Sequence, residues 1–393
     1  MNQLLPRSEL QHSLHEPSLS DQIYVGLAVT SKEKEKVYRL RYQIYVEEMG
    51  RRLSHVNHRR RLLYDDMDDW GLLFYARSGK EYVGTVRLHI GRKDEFPPEL
   101  TMPMAMDKFH EFRSCDGASH PLSFASKGMI APQFRKSRAH HLLCAHYYQA
   151  CRNQGVLFHF SGGAPALVAM HEHLGARRYK SNFFVPDYGC MVPFVTLLDD
   201  IDHLRRVRSP FADVAGQWPN SQESITWFDR EFPHARTRYV NKQLTDAAGL
   251  WRIIGERLGH PPEKAVGIFR GLSETEAKIC ASAGHLVYFD QADTVSYPDD
   301  MSDEIFIVVT GSLAARRQLA SQRLTQAILR PGQVYGEKAF VARARQNATV
   351  VAQTNAELLI LPRHALERLE LQHPAVAAKL FHNIGARAAR KYA

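Results

Sequence analysis

Four neighbouring aspartates, Asp65, Asp66, Asp68 and Asp69, form the densest acidic patch in the N-terminal half of the sequence. A carboxylate beside an amine binds its ammonium form and can take its proton, directly or through water. A hydrated loop in front of a strand would contain the same residue types. The patch is therefore either a candidate site for a nucleophilic amine or an ordinary surface loop.

Basic residues are concentrated in two short stretches, RRLSHVNHRRR at 51–61 and RKSRAHH at 135–141. The chain of 393 residues carries 51 Lys and Arg against 42 Asp and Glu, a formal charge of +9. This excess is spread over both halves, whereas a DNA-binding domain usually concentrates it on one face or helix. We therefore expect no nucleic acid partner, and charge runs of this kind are most often solvated surface.

The composition is that of a folded globular protein, with 44% hydrophobic and 24% charged residues. The five cysteines form no CxxC pair, so the sequence indicates neither a disulfide framework nor a thiolate metal site. No run approaches the ~18 apolar residues of a membrane-spanning helix, and the opening residues lack the apolar block of a secretory signal. We expect a cytoplasmic protein of two or three domains with no metal.

The elements that must position these residues begin after a loose arm at 1–20. Thr30 followed by Glu33 is a capping box and predicts a helix start. The helix should run towards Gly50, with its apolar face formed by Val37, Leu40 and Ile44. The residues 70–90 alternate in polarity around Ser78, Gly79 and Lys80, which predicts a hairpin.

Strands and helices then alternate up to residue 200. The pattern predicts a strand at 123–130, a helix that ends near Gly155, a strand at 156–162, a helix at 166–174 and a strand-like stretch at 182–192. This succession predicts an α/β (α+β) domain with a mixed sheet at 21–200.

Residues 201–262 are predicted to be a connector, and residues 263–393 a small β-roll flanked by helices. The connector contains one helical stripe, which Gly259 and Pro261 end. That stripe can pack on either domain or on a second copy of the chain in a homodimer, and we expect packing within the chain. Its apolar residues are Val240, Leu244, Ala247, Leu250, Ile254 and Leu258.

The stretch VYRLRYQIYVEEMG at 37–50 resembles the opening of the acyl-homoserine-lactone autoinducer synthases and the long-chain N-acyl amino acid synthases, both of the GNAT-type N-acyltransferase fold. The similarity continues through YDD at 64–66, VGTVRL at 83–88 and PALVAMHEHLGAR at 165–177. The resemblance implies that an amine attacks a thioester whose carbonyl is polarised by backbone amides.

The resemblance places the acyl donor at the turn formed by Arg135, Lys136, Arg138 and His140. The fold usually has small residues where Arg138 and His140 stand, and their bulk should hinder the pyrophosphate of coenzyme A. Their charge suits the acidic surface of an acyl carrier protein. We therefore expect acyl carrier protein as the donor's carrier rather than coenzyme A, and no tightly bound cofactor.

The resemblance implies a catalytic or enclosing role for Arg41 and acceptor contacts for Asp65 and Asp66. Arg87 would hold an acceptor carboxylate. Phe124 and Lys127 stand where the autoinducer synthases have the two charged residues of a Glu-x-x-Arg motif. The loss of that acid argues against S-adenosylmethionine as the acceptor. Lys127 becomes a candidate acceptor contact, and a free amino acid or a similar small amine is expected.

His171 occupies the helix position at which the GNAT fold often has a tyrosine that protonates the leaving thiolate. Imidazole titrates near neutrality and can supply that proton. A single histidine on a helix is more often structural, so both interpretations stand.

Residues 263–393 resemble the cyclic-nucleotide-binding domain, because Gly311, Gly332, Gly336 and Glu337 fall at its turns and phosphate-binding cassette. The resemblance implies that Glu337 meets the ribose. Gln346, followed by Asn347 and Ala348, stands where an arginine for the cyclic phosphate is expected, and Arg343 and Arg345 lie close by in the sequence. Glutamine donates a hydrogen bond without charge, so phosphate affinity should fall unless Arg345 takes the place of the arginine. Three roles remain open for this domain: a cyclic nucleotide effector site, a site for another ligand, or a structural or dimerisation module.

The sequence thus predicts an N-acyltransferase that moves a fatty acyl group from acyl carrier protein to the amine of an amino acid, with a sensor-like C-terminal domain. One alternative is a ligand-regulated protein lysine acetyltransferase that uses acetyl coenzyme A. Another is a non-catalytic signalling protein, because Phe124, Arg138 and Gln346 all break family patterns.

Overall fold

The computed structural model describes residues 23–135, 137–298, 303–319 and 322–390. The expected loose arm at 1–20 and Lys136 lie outside the described residues. Among the helices of the described ranges, none is long and apolar enough to cross a membrane.

Helix α1 (Ser31–Tyr42) begins where the sequence predicts it. The Thr30 hydroxyl accepts a hydrogen bond from the Glu33 amide at 3.3 Å, and the Glu33 carboxylate accepts one from the Thr30 amide at 2.9 Å, which confirms the capping box. The helix continues as a π-helix (Gln43–Glu48) up to Gly50, whose φ of 62° ends it. Such wide turns often occur at functional sites, and this one carries Tyr45.

The predicted hairpin and the following strands are confirmed, and they join strands that the sequence analysis did not identify. The N-terminal half contains β1 (Ile23–Leu27), β2 (Val56–Asn57), β3 (Leu62–Leu63), β4 (Leu72–Ser78), β5 (Glu81–Gly91), α2 (Pro98–Thr101), α3 (Met106–His110), β6 (Leu122–Ile130), α4 (Ala139–Asn153), β7 (Phe158–Gly163), α5 (Val168–His173), β8 (Arg177–Arg178), β9 (Phe183–Val185) and β10 (Gly189–Leu197).

These strands form one mixed sheet in the order β1-β4-β5-β6-β7-β10-β8, with β9 paired to β10. The pairing of β6 with β7 is parallel and covers Leu122–Ala125 and Phe158–Ser161. Strand β6 continues beyond this register to Ile130, and its pairing with β5 is interrupted by a bulge between Thr85 and Arg87. A bulge bends its strand and redirects side chains, and the bulged segment contains Lys127, whose φ is 54°.

The sequence predicts a single helical stripe in the connector, but the structure has four helices there and a fifth that starts at its end. These are α6 (Ile201–Arg206), α7 (Ala212–Ala215), α8 (Glu223–Glu231), α9 (Ala247–Leu258) and α10 (Pro262–Ala265), of which α7 and α10 have only four residues each. The expected start of the stripe at Val240 is wrong. Helix α9 begins at Ala247 because the Asp246 carboxylate caps it by accepting from the Gly249 amide at 2.6 Å. Its apolar face packs on the C-terminal half, as expected for packing within the chain, through Leu250, Ile254 and Leu258.

The C-terminal half is the expected β-roll flanked by helices. It contains α11 (Glu274–Ser282), β11 (His285–Phe289), β12 (Thr294–Ser296), β13 (Glu304–Thr310), β14 (Leu313–Leu319), β15 (Gln322–Leu329), β16 (Val334–Tyr335), α12 (Glu337–Ala342), β17 (Thr349–Ala352), β18 (Ala356–Pro362), α13 (Arg363–Gln372) and α14 (Pro374–Arg390). The two sheets of the roll have the orders β11-β18-β13-β16 and β12-β17-β14-β15.

The two halves share one hydrophobic cluster, in which Val168, Val192 and Phe194 of the first half pack with Phe289 and Leu358 of the roll. A buried ion pair lies beside it. Arg178 of β8 bonds Glu172 of α5 at 2.7 Å and donates to the carbonyl of Leu286 in β11 at 2.9 Å. The C-terminal half is thereby fixed directly to the helix that carries His171.

Candidate functional site

Three of the predicted site residues meet on the sheet beside β5. Arg41 of α1 is fully buried and donates from Nη1 to both carboxylate oxygens of Asp68, at 2.8 and 2.9 Å. Arg87 of β5 lies 3.1 Å from Asp68 and also pairs with Asp65. Its Nε donates to the Ser126 hydroxyl at 3.0 Å. The two arginines and two aspartates therefore form one connected network.

The acidic patch folds into a short 3₁₀ helix (Asp66–Asp68) that divides its members between the site and solvent. Asp65 caps this helix by accepting from the Met67 amide at 3.1 Å, and Asp68 accepts from the Asp65 amide at 2.9 Å. Both of these carboxylates face the arginines, whereas Asp66 and Asp69 are exposed. Asp66 is thus placed at the rim rather than inside the network.

Lys127 projects from the bulged segment of β6 into the same network. Its side chain is almost completely buried, and its ammonium nitrogen lies 3.5 Å from Asp65 and donates to the hydroxyl of Tyr188. Burial lowers the pKa of Lys127 to about 8; the nearby arginines lower it further and Asp65 opposes them. The lysine is therefore mostly protonated at neutral pH and loses its charge as the pH rises through about 8.

The charges of this network do not cancel. Arg41, Arg87 and Lys127 are set against the two carboxylates of Asp65 and Asp68. Burial alone would raise the pKa of Asp65, but Arg87 and Lys127 together hold it below its usual value. Asp65 stays ionised at neutral pH, and an anionic group of a ligand would complete the charge balance.

Aromatic and polar residues that the sequence analysis did not assign to the site form its wall. The guanidinium carbon of Arg51 lies 5.9 Å from the ring centre of Tyr45 and 5.8 Å from that of Tyr188. The imidazole of His55 is 3.9 Å from Asp65. Tyr45 falls within a stretch that carries the family resemblance, so it was within reach of sequence reasoning. Tyr188 comes from a distant hairpin and gives no such signal.

The residues expected to bind the donor lie at the turn before α4. The guanidinium of Arg135 bonds the carboxylate of Glu48 at 2.7 Å and the carbonyl of Ile130 at 3.2 Å. Arg138 is exposed at the N-cap of α4, and burial lowers the pKa of the neighbouring His140. A groove of about 520 Å³ between α1 and the β4–β5 hairpin reaches this turn at Pro132 and Gln133.

His171 lies inside α5 against the sheet. Its Nδ1 is 3.2 Å from the hydroxyl of Ser161, and its ring stacks on Phe194 with centres 4.3 Å apart. Burial, with a smaller contribution from His140, lowers the pKa of His171 to about 3. The ring is neutral at physiological pH, so it offers a hydrogen bond rather than an imidazolium proton.

In the C-terminal half, the residues that resemble the phosphate-binding cassette, 336–347, include Glu337 and Gln346, whose side chains bond other residues of the same half. Glu337 is buried, and its carboxylate accepts a hydrogen bond at 3.1 Å from Arg387 of α14. The hydroxyl of Tyr335 donates to the side-chain oxygen of Gln346 at 2.8 Å and lies 3.1 Å from that of Ser296. Asn347 is exposed.

Two further residues of this segment differ from these: Gly336 is required by the backbone conformation, and Arg345 contacts the N-terminal half. Gly336 has a φ of 97°, and a Cβ there would meet the carbonyl of Glu304 at 2.5 Å, so only glycine fits. Arg345 reaches across to the N-terminal half and donates to the carbonyl of Gly50. This contact joins the cassette to the end of the helix that carries Tyr45.

Comparison with known protein families gives one match within each half of the chain. Residues 40–145 match the family model of the acetyltransferase (GNAT) domain, and residues 286–373 match that of the cyclic nucleotide-binding domain. The Cyclic AMP receptor protein of Thermus thermophilus is 30% identical over 129 residues, which are 33% of this chain and 58% of that protein. The chain therefore spans little more than half the length of this curated relative.

Two solved structures are similar to about a third of the chain. The Thermus thermophilus Catabolite Activator Protein is 29% identical over 32% of this chain and 58% of its own, with a TM-score of 0.30. A cyclic nucleotide-binding domain from Methylobacillus flagellatus is 20% identical over 36% of this chain and 81% of its own, with a TM-score of 0.31. The family models show that the chain joins a GNAT-type acetyltransferase domain to a C-terminal cyclic nucleotide-binding domain.

Proposed function

We propose that the protein is an N-acyltransferase that transfers a fatty acyl group from acyl carrier protein to the amine of an amino acid or a similar small amine. The observation that carries this proposal is the surplus of cations in the network of Arg41, Arg87 and Lys127 with Asp65 and Asp68. A ligand that bears both a carboxylate and an amine fits it. The carboxylate would meet Lys127, and the ammonium would meet Asp65.

In the proposed reaction the unprotonated amine attacks the thioester carbonyl carbon, so a C–N bond forms and the C–S bond breaks. Because its pKa is lowered, the carboxylate of Asp65 is a weak base. It binds the ammonium form of the acceptor, and the proton that the ammonium loses leaves through water. The leaving thiolate takes a proton from solvent, with the neutral ring of His171 as a hydrogen-bond partner. Orientation of the two substrates supplies most of the acceleration.

Acyl carrier protein is the proposed carrier because of the charges at the donor turn. Arg138 is exposed at the N-cap of α4, and the ion-paired Arg135 remains half-exposed beside it. Such residues suit a protein partner with an acidic surface better than a buried pyrophosphate. Acyl coenzyme A is the competing donor.

Mass spectrometry of reaction mixtures tests the proposal. The full chain is incubated with acyl carrier proteins loaded with different chain lengths and with a mixture of amino acids. An N-acyl amino acid is the expected product, and the variant Lys127→Gln should make much less of it. No product at any chain length overturns the proposal. A parallel reaction with acetyl coenzyme A and a protein substrate detects lysine acetylation, the alternative activity.

We also propose that a cyclic nucleotide is the effector of the C-terminal domain, on the strength of the buried Glu337 and the family match over 286–373. The hydrogen bond between Tyr335 and Gln346 occupies the region assigned to the cyclic phosphate. A bound phosphate would have to compete with it. Calorimetric titration with cyclic AMP and cyclic GMP, with Glu337→Ala as the control, measures this binding.

A further inference from the structure

We propose that Arg345 couples the effector site to the acceptor site by holding the carbonyl of Gly50, and that an anionic effector opens the acceptor site by drawing Arg345 away. The inference rests on the proposed function for the meaning of the acceptor site. The contacts that carry it are present in the chain itself and do not depend on any substrate.

The first contact links two positions that are 295 residues apart. Arg345 directly precedes Gln346, which lies in the cassette, and its guanidinium donates to the carbonyl of Gly50. Gly50, with a φ of 62°, lies just after the π-helix and directly before the basic stretch at 51–61. A movement of Arg345 therefore acts on the backbone at this junction.

The next residues carry the contact into the acceptor site. Arg51 lies over Tyr45 and Tyr188, and its Nη1 is 3.4 Å from the carbonyl of Asp187. The amide and hydroxyl of Ser54 donate to the carboxylate of Asp187 at 2.8 and 2.7 Å. Residues 50–54 and 187–188 thus form one wall, which we call the acceptor wall. Tyr188 in this wall accepts the hydrogen bond of Lys127.

A second contact reaches the same wall from the cassette. Ser296 hydrogen-bonds Tyr335, and the adjacent Tyr297 packs edge-on against Phe184 with ring centres 5.4 Å apart. Tyr297 also fits so closely over Gly189 that a Cβ there would lie 2.7 Å from it. Phe184 and Gly189 flank the turn that carries Tyr188.

Other contacts between the halves leave little freedom for a movement of whole domains. The shared hydrophobic cluster and the buried pair of Glu172 with Arg178 fix the roll to α5. His285 of β11 adds a hydrogen bond of 2.8 Å to the carbonyl of Pro165. The contact of Arg345 with Gly50 is only partly buried, so it should rearrange at lower cost than these buried contacts.

An anionic effector should compete successfully with the carbonyl of Gly50 for the guanidinium of Arg345. A hydrogen bond from arginine to a phosphate is charge-assisted and stronger than one to a neutral carbonyl. With Arg345 on Gly50, only 8% of Lys127 is exposed, so the described arrangement is the closed one. The effector should therefore lower the KM for the acceptor. Couplings of this kind typically change affinity by about 5- to 150-fold, and they act equally in both directions.

Hydrogen exchange of the full-length chain, followed by mass spectrometry, tests the coupling without requiring turnover. Cyclic AMP or cyclic GMP should speed exchange of the amides at 50–54 at least about tenfold, within the range of such couplings. The variant Arg345→Ala should show fast exchange without nucleotide and no further change with it. The matched control Arg343→Ala, at an exposed neighbouring arginine, should behave as the wild type.

Three results would overturn the inference. These are the absence of binding of either nucleotide in calorimetry, unchanged exchange at 50–54 on binding, and exchange in Arg345→Ala that equals the wild type. A failure to form any N-acyl product would instead remove the proposed function and leave the exchange result standing. Thermal unfolding of Arg345→Ala at the wild-type temperature shows that the variant is folded.

Discussion

The ammonium nitrogen of Lys127 lies 3.5 Å from a carboxylate oxygen of Asp65, and both side chains belong to a network in which cations outnumber anions. Lys127 lies at the bulge of β6, and its own φ is 54°. This local backbone geometry directs the lysine side chain into the network. Burial makes this lysine the most easily deprotonated cation of the group.

Replacement of Lys127 should affect acceptor binding in a manner that depends on pH. The pKa of about 8 means that the lysine loses its charge as pH rises through that value, so the wild-type KM for the acceptor should rise above pH 8. Lys127→Arg keeps the charge and should show a flat KM from pH 7 to 9.5. Steady-state kinetics across this range measure the KM for the acceptor. An equal rise of KM in both proteins would show that Lys127 does not bind the acceptor.

Asp65→Asn should lower kcat/KM by roughly ten- to a hundredfold, the scale of a lost hydrogen bond to a charged group. The amide keeps the shape of the carboxylate but cannot attract an ammonium group. Asp69→Asn is a matched control, because Asp69 is an exposed member of the same acidic patch. Equal losses in the two variants would show that the patch acts only through its general charge.

Mild acid should destabilise the folded chain. Burial lowers the pKa of several histidines, five of them to about 3 or 4, so below pH 6.5 the unfolded chain binds protons that the folded chain does not, and stability falls as pH falls. The contribution at pH 5 is on the order of 2 kcal/mol for each imidazole. Those with pKa values of about 3 are His159, His171 and His203, and those with values of about 4 are His89 and His285.

Urea unfolding at pH 7 and pH 5 measures this loss, and one substitution isolates a single imidazole. His285→Gln keeps a donor for the carbonyl of Pro165, so its loss of stability between the two pH values should be smaller by about 2 kcal/mol. The exposed His260→Gln should change nothing. If His285→Gln loses as much stability as the wild type between pH 7 and pH 5, the imidazole of His285 is already charged in the folded wild-type chain.

The ion pair between Glu172 and Arg178 should be essential for stability. Arg178→Met leaves a buried carboxylate without its partner, which typically costs about 3 to 5 kcal/mol of unfolding free energy. Arg252→Met breaks the exposed pair with Glu256 and should change stability by less than about 1 kcal/mol. Because the halves share a core, we expect one unfolding transition in urea; two separate transitions in the wild type would contradict this.

Arg138→Glu should raise the KM for acyl carrier protein by about tenfold or more at low salt, since it reverses a charge that faces the partner. The effect should shrink as salt screens the exposed charges. Arg205→Glu makes the same change of charge at an exposed position of α6 and is the control. Equal KM values for the two variants would show that the donor turn does not contact the carrier.

Elements set by local patterns could be predicted well. The Thr30 capping box, the hairpin around Gly79 and the strand that carries Lys127 need only neighbouring residues, and each lies where its pattern indicates. The start of α9 was predicted too early, because the apolar spacing begins at Val240 in the sequence. The N-cap at Asp246 decides where the helix begins. Strand β1 exists through its pairing with β4, which a local pattern does not reveal.

The sequence by itself determined which domains are present and which charged residues are available to the site, because family motifs and polarity patterns are properties of short stretches. Only the tertiary structure decided that Asp65 and Asp68 turn inward while Asp66 stays outside, and that Arg345 meets Gly50. These pairings depend on how distant segments pack, and packing brings together residues whose spacing along the chain carries no information about one another.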